Sequence, residues 1–268
     1  MDESAARPVA LVTGASSGLG RAYAVRLAEA GWDLVPVARR EERLQALAAE
    51  IRAVSPVTVE PLVADLTDPG GLAAAEARIG WGVDLVINSA GFAGYMPFAT
   101  LPAEVADDLV AIHVRAVTRL TRAAVAVMLP RGDGAIINVA LLLAFSESVS
   151  MGRFARATYA GCKAYIVAFT QLVAQEVGGQ GIRVQVCCPG AVATEFHDVA
   201  GMMQPLAAMS ADDVVTASLH SLETGESVCV PALADATVVD GYHEAQRQML
   251  LQGNLPELAE RYRTANAG

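Results

Sequence analysis

Short aliphatic and β-branched runs alternate along the chain with longer stretches in which apolar positions recur at helical spacing. The runs predict strands at Val9 to Thr13, Leu34 to Ala38, Val57 to Leu62, Val83 to Asn88, Ala135 to Val139, Arg183 to Cys188 and Ser227 to Val230. The longer stretches predict helices over Arg21 to Ala30, Glu41 to Val54, Gly70 to Ile79, Pro102 to Leu129, Tyr159 to Val177 and Ala211 to Leu222. Such alternation is the mark of βαβ units, whose right-handed crossovers place helices on both faces of a parallel sheet. No repeat, low-complexity tract or Pro/Gly-rich linker interrupts the series. A single α/β domain over 1–268 is therefore expected, with an amphipathic helical segment over 240–264 closing over the sheet edge or a partner subunit.

Composition agrees with a doubly covered sheet. Of 268 residues, 53% are hydrophobic and only 18% charged, too apolar for a disordered chain. The formal net charge of −10 argues against nucleic acid or an anionic membrane as partner, because either would repel the chain. The acidic start is followed by no long apolar region of the kind a secretory signal carries. Cys162, Cys187, Cys188 and Cys229 show neither CxxC nor metal-ligand spacing, so no metal is expected and a reducing cytoplasm is the simplest location.

The first chemical signal follows strand one, where Thr13-Gly14-Ala15-Ser16-Ser17-Gly18-Leu19-Gly20 turns the chain into a helix. Gly14 permits the sharp turn, Gly18 lets the backbone approach a pyrophosphate, and Gly20 lets the helix pack on the strand, so the helix N-terminus faces phosphate. The spacing is GxxxGxG, which differs from the common GxGxxG fingerprint. Further along stand Asp65-Leu66, Asn88-Ser89-Ala90-Gly91, Tyr159-x-x-x-Lys163 and Pro189-Gly190-x-Val192-x-Thr194.

Taken together and in this order, these motifs resemble the short-chain dehydrogenase/reductase family. The resemblance implies a Rossmann-type, doubly wound parallel sheet of about seven strands in the order 3-2-1-4-5-6-7. It also implies a nicotinamide cofactor across the carboxyl ends of the strands, a small-molecule substrate, and homodimers or homotetramers. In that frame Asp65 and Leu66 contact the adenine, Asn88, Ala90 and Gly91 form the turn beside the ribose, and Pro189, Gly190, Val192 and Thr194 clamp the nicotinamide. The segment 195–210, with Phe196, Met202 and Met203, corresponds to the substrate lid.

Charge at the end of strand two bears on which nicotinamide cofactor binds. An acidic residue there accepts the 2′-hydroxyl of NAD, whereas basic residues receive the 2′-phosphate of NADP. Arg39 and Arg40 occupy the position with no carboxylate at it, and Ser16 and Ser17 can complete the phosphate site. NADP(H) is the expected cofactor.

Tyr159 and Lys163 are four apart and share one helix face. A nearby ammonium favours the phenolate, which suits Tyr159 to proton transfer. The resemblance adds a second task for Lys163, holding the nicotinamide ribose. Where the family carries a serine to bind the carbonyl, this chain has Leu141, and where it carries an asparagine on the long helix, this chain has His113. Loss of one oxyanion donor costs on the order of 2.7–4 kcal/mol. Ser146, 13 positions before Tyr159, is a candidate replacement for that donor, as is Ser148; an ordinary loop role for both is the alternative. His113 can join a proton relay or be a packed structural residue.

Two functional classes follow. The first is an NADP(H)-dependent ketoreductase acting on a small or medium apolar carbonyl or alcohol, its substrate wall drawn from Leu141 to Phe145, Phe92, Tyr95, Met96 and Phe98. The second is an NADP(H)-binding protein with lost or attenuated redox activity, serving as a regulator or catalysing a non-redox rearrangement, cyclisation or dehydration.

Overall fold

The computed structural model describes residues 7–152, 154–195 and 207–263. Most of the expected lid, including Phe196, Met202 and Met203, lies outside them. Strands β1 (Val9–Thr13), β2 (Asp33–Ala38), β3 (Leu62–Val63), β4 (Leu85–Asn88), β5 (Gly134–Val139), β6 (Ile182–Cys187) and β9 (Val228–Cys229) form one parallel sheet in the order β3-β2-β1-β4-β5-β6-β9. Its order is the expected one. The last strand is ninth in the chain because a small parallel pair, β7 (Val192–Ala193) and β8 (Met209–Ser210), precedes it.

Helices α1 (Gly18–Glu29), α2 (Glu41–Val54), α3 (Pro69–Gly80), α4 (Ala103–Val110), α5 (Val117–Met128), α6 (Ala157–Val177) and α7 (Ala211–Glu223) fill the crossovers. Alternate strand residues face opposite layers. Ala10 and Val12 pack toward Tyr23 and Leu27 of α1 and Val214 of α7, while Leu11 and Val86 pack toward Leu72 of α3 and Leu120 of α5. The stretch expected as one helix over Pro102 to Leu129 is broken by a π-helical segment, Ala111–Ala116. Strand three is shorter than Val57 to Leu62 predicts, Val59 making only an isolated bridge to Leu34.

The chain divides into two compact units, Met1–Pro231 and Ala232–Gly268. The second contains α8 (Thr237–Gly253) and a short 3-10 turn at Glu260–Tyr262. All site residues below belong to the first. Among the described residues no helix is long and apolar enough to cross a membrane.

Candidate active site

A cleft of about 620 Å³ runs across the carboxyl ends of the central strands. Gly14, Ser16, Ser17, Gly18, Leu19, Gly20, Arg39, Arg40, Asp65, Leu66, Ala90, Gly91, Pro189, Gly190, Val192 and Thr194 all line it, together with His113, Tyr159 and Lys163. Topology makes this possible: β1 and β4 are neighbours, so the loops that follow them meet where the strand order reverses. Asn88 is not among the lining residues. It is buried at the end of β4, donating from Nδ2 to Asn138 Oδ1 on β5 at 2.8 Å, and so ties two strands together beneath the cleft.

The glycine loop is held by close contacts. Gly14 has φ +70°, and a Cβ there would stand 2.9 Å from the Ala90 Cα. A Cβ on Gly20 would overlap the Gly14 carbonyl. Thr13 Oγ1 accepts from the backbone N–H of Ser89 and of Ala90, each at 3.0 Å, which locks the loop after β1 to the loop after β4. The Ser17 side chain does not cap α1, and the first turn of α1 holds no acidic residue. Its N-terminal N–H groups and positive dipole end therefore remain for an anionic ligand.

Beside that helix end lies a cationic cradle. Arg40 donates from Nε and Nη2 to Ser16 Oγ at 3.1 and 3.0 Å and from Nη2 to Ser17 Oγ at 2.6 Å. Its Nη1 reaches Glu195 Oε1 at 2.8 Å, and Arg43 Nη1 meets both Glu195 oxygens at 2.7 Å. Bonds from Arg43, then from Arg40 and Ser17, overcome partial burial and hold the Glu195 carboxyl down to about 2. Arg39 turns away and pairs with Asp65 at 3.6 Å. Burial alone would raise the Asp65 carboxyl, but the Thr67 hydroxyl and N–H, with Arg39, keep it below the usual carboxylate range. Arg43 and Glu195 escaped the sequence reading. Arg43 carried a signal, since it follows Arg40 by three positions at the start of a helix and so shares its face.

At the other end of the cleft, α6 presents Tyr159 and Lys163, both buried. Lys163 donates from Nζ to the Val139 carbonyl at 3.0 Å and stands 5.7 Å from the centroid of the Tyr159 ring. Burial lowers its ammonium to about 8. The sequence reading expects Lys163 to favour the phenolate. Instead burial, the neighbouring Tyr95 and Cys162 push the Tyr159 phenol well above its ordinary value. Lys163 donates to a backbone carbonyl, and desolvation of the phenolate dominates. Tyr159 is thereby kept protonated, the form that donates a proton.

His113 lies in the π-helical segment, a feature that often marks a functional site. Its Nε2 is 3.0 Å from the Phe92 carbonyl and must donate to it, which leaves Nδ1 as a buried acceptor without a partner. Its ring centroid is 5.3 Å from that of Tyr159, and burial followed by the Lys163 charge holds the imidazole neutral. A Cβ on Gly91 would overlap the imidazole, so that glycine makes room for it.

Leu141 lines the cleft where a carbonyl-binding serine is expected. Ser146 does not line it. Its hydroxyl donates to the Leu143 carbonyl at 2.7 Å and accepts from Arg156 Nε at 2.9 Å, so it braces the loop after β5. Ser148 is exposed on the same loop.

A cleft at the strand-order reversal, an uncapped helix end behind a glycine turn, and a buried Tyr–Lys pair define a dinucleotide-dependent oxidoreductase site. Residues 8–204 match the short chain dehydrogenase family, and the chain belongs to it. It is a hydride-transfer oxidoreductase of that family and takes a nicotinamide cofactor. Among its relatives is the 3-oxoacyl-[acyl-carrier-protein] reductase FabG of Escherichia coli, 31% identical over 191 residues, covering 70% of this chain and 75% of that protein. Among solved structures, a short-chain dehydrogenase from Sphingobium yanoikuyae in complex with NADPH is 36% identical with a TM-score of 0.90, covering 95% of this chain and all of that one. The bulky-bulky ketone specific alcohol dehydrogenase from Comamonas testosteroni is 31% identical with a TM-score of 0.87, covering 96% of this chain and 98% of that one.

Proposed function

We propose that the chain is an NADPH-dependent ketoreductase acting on bulky apolar ketones. The carrying observation is the cradle of Arg40 and Arg43 around the Glu195 carboxylate, with the Ser16 and Ser17 hydroxyls holding Arg40 in place. Donors arranged to hold one anion at the adenosine end suit the 2′-phosphate that distinguishes NADP from NAD. In this reading α1 holds the pyrophosphate, Asp65 and Leu66 the adenine, Lys163 the nicotinamide ribose, and Pro189 to Thr194 the nicotinamide end. When bound, the nicotinamide gives or takes the hydride.

Tyr159, kept protonated by burial, gives its proton to the carbonyl oxygen as the carbon is reduced; the Lys163 ammonium stands behind it for reprotonation, and the neutral His113 packs against its ring. Leu141, Leu142, Phe92, Met151 and Phe154 make the substrate end apolar. That wall and the bulky ketones named for the Comamonas enzyme support the substrate class, and the NADPH bound to the Sphingobium protein supports the cofactor. Fluorescence titration with NADPH and NADH tests the cofactor half. NADPH is expected to bind at least tenfold more tightly, as a charge-assisted pair with an arginine contributes about 1.5–3 kcal/mol. Equal affinities would overturn it.

Leu141 also supports a second reading, a nucleotide-binding protein of attenuated redox activity, because it removes one donor from the carbonyl site. The two readings part on whether NADPH is consumed when a ketone is added.

A further inference from the structure

We propose that the Tyr95 hydroxyl is the second hydrogen-bond donor to the substrate oxygen, taking the place left by Leu141. The proposal rests on the ketoreductase reading above. Tyr95 sits in the loop after β4 and lines the cleft. Its ring meets that of Tyr159 edge-on with centroids 5.2 Å apart, and both rings line the cleft. Phe154 packs on it with centroids 4.8 Å apart, and the loop is pressed onto α4, where a Cβ on Gly94 would overlap Leu109. Tyr95 is thus held in position.

A carbonyl oxygen that receives the Tyr159 proton must lie within about 2.6–3.2 Å of that hydroxyl. Tyr95 stands edge-on beside the Tyr159 ring on the wall of the same cleft, so an oxygen placed between the two phenols falls within reach of both. Among the described residues, the donors the sequence offered at this place do not reach it. Leu141 has no donor, Ser146 is committed to Leu143 and Arg156, and the free nitrogen of His113 is an acceptor. Ser16 and Ser17 belong to the opposite end, beside Arg40. As the carbonyl carbon gains a hydride, the π pair moves to oxygen, which takes the proton of Tyr159 while Tyr95 keeps its own. A phenol pushed up to about 12 by burial remains a donor at neutral pH.

The test compares wild type, Tyr95→Phe and Tyr95→Phe/Leu141→Ser in two assays. In turnover of acetophenone with NADPH, Tyr95→Phe should lower kcat by roughly 10²-fold with little change in KM, and adding Leu141→Ser should restore much of it. In the second assay the infrared carbonyl stretch of carbonyl-13C acetophenone is recorded bound with NADP⁺, where no reduction occurs. Tyr95→Phe should lose a large part of the downshift seen in wild type. If the stretch and kcat are unchanged in Tyr95→Phe, the Tyr95 assignment is wrong while the ketoreductase reading stands. If wild type shifts the stretch and Tyr95→Phe does not, yet no NADPH is consumed, Tyr95 is confirmed and the reading fails. Absence of any bound ketone overturns both.

Discussion

Arg40 and Glu195 face each other across the mouth of the nucleotide end, Nη1 of one 2.8 Å from Oε1 of the other. The carboxylate occupies the donors that the proposed phosphate requires, so the two anions compete for one seat. Glu195→Gln should tighten NADPH binding by up to about fivefold, in keeping with roughly 1 kcal/mol for a partly exposed pair, and leave NADH nearly unchanged. Weaker NADPH binding in that variant would mean that Glu195 assists the cofactor.

Arg40→Ala removes the central donor of the same cradle. NADPH affinity should fall by tenfold or more while NADH affinity moves little, a difference read by parallel titrations. Arg39→Ala should have a smaller effect, since Arg39 is turned toward Asp65.

Lys163 gives a pH signature in stability. Its folded-state value of about 8 lies below the ordinary 10.5, so between those values the unfolded chain holds the proton and the folded chain does not. Stability from this group therefore rises with pH across that window, and below pH 8 the buried charge carries its full cost. Lys163→Met should raise unfolding free energy at pH 7 by on the order of 2 kcal/mol, with the advantage shrinking toward pH 10. Urea denaturation at the two pH values measures it, and an advantage that grows with pH would contradict the assignment.

Gly20→Ala places a Cβ against the Gly14 carbonyl, a backbone atom that cannot swing aside. Overpacking of this kind costs about 1–3 kcal/mol, so a fall of several degrees in Tm is expected, with weakened nucleotide binding.

The sheet was readable because its strands are short apolar runs with clear breaks, and β1 and α2 begin and end where the pattern places them. The break in the helix over Pro102 to Leu129 was not, because a π-helical turn leaves hydrophobic periodicity almost intact. The glycine loop and the Tyr159–Lys163 pair were legible from their spacing together with the other motifs in order, since neither is specific alone. What spacing does not convey is side-chain direction. It gave Arg39 the same prospects as Arg40, yet only Arg40 enters the cradle, and it brought Ser146 near Tyr159 in sequence while Arg156 and Leu143 hold its hydroxyl elsewhere. Glu195 was invisible because its partners lie more than 150 positions away.

Ser146→Ala follows from that contrast. Turnover should stay within about twofold of wild type, whereas Tm should drop by a few degrees as Arg156 loses one of its acceptors, the buried Ser146 hydroxyl. A loss of turnover with Tm unchanged would return Ser146 to the carbonyl site.

The central claim is hydride transfer from NADPH to a ketone with Tyr159 as proton donor. The most direct measurement supplies NADPH deuterated at the transferable position of C4, with acetophenone, to wild type and Tyr159→Phe, and reads the alcohol by mass spectrometry. Wild type should yield alcohol carrying one deuterium on the carbinol carbon in step with NADP⁺ formed, and Tyr159→Phe should yield almost none. NADPH that binds but delivers no deuterium to a panel of bulky ketones would contradict the account.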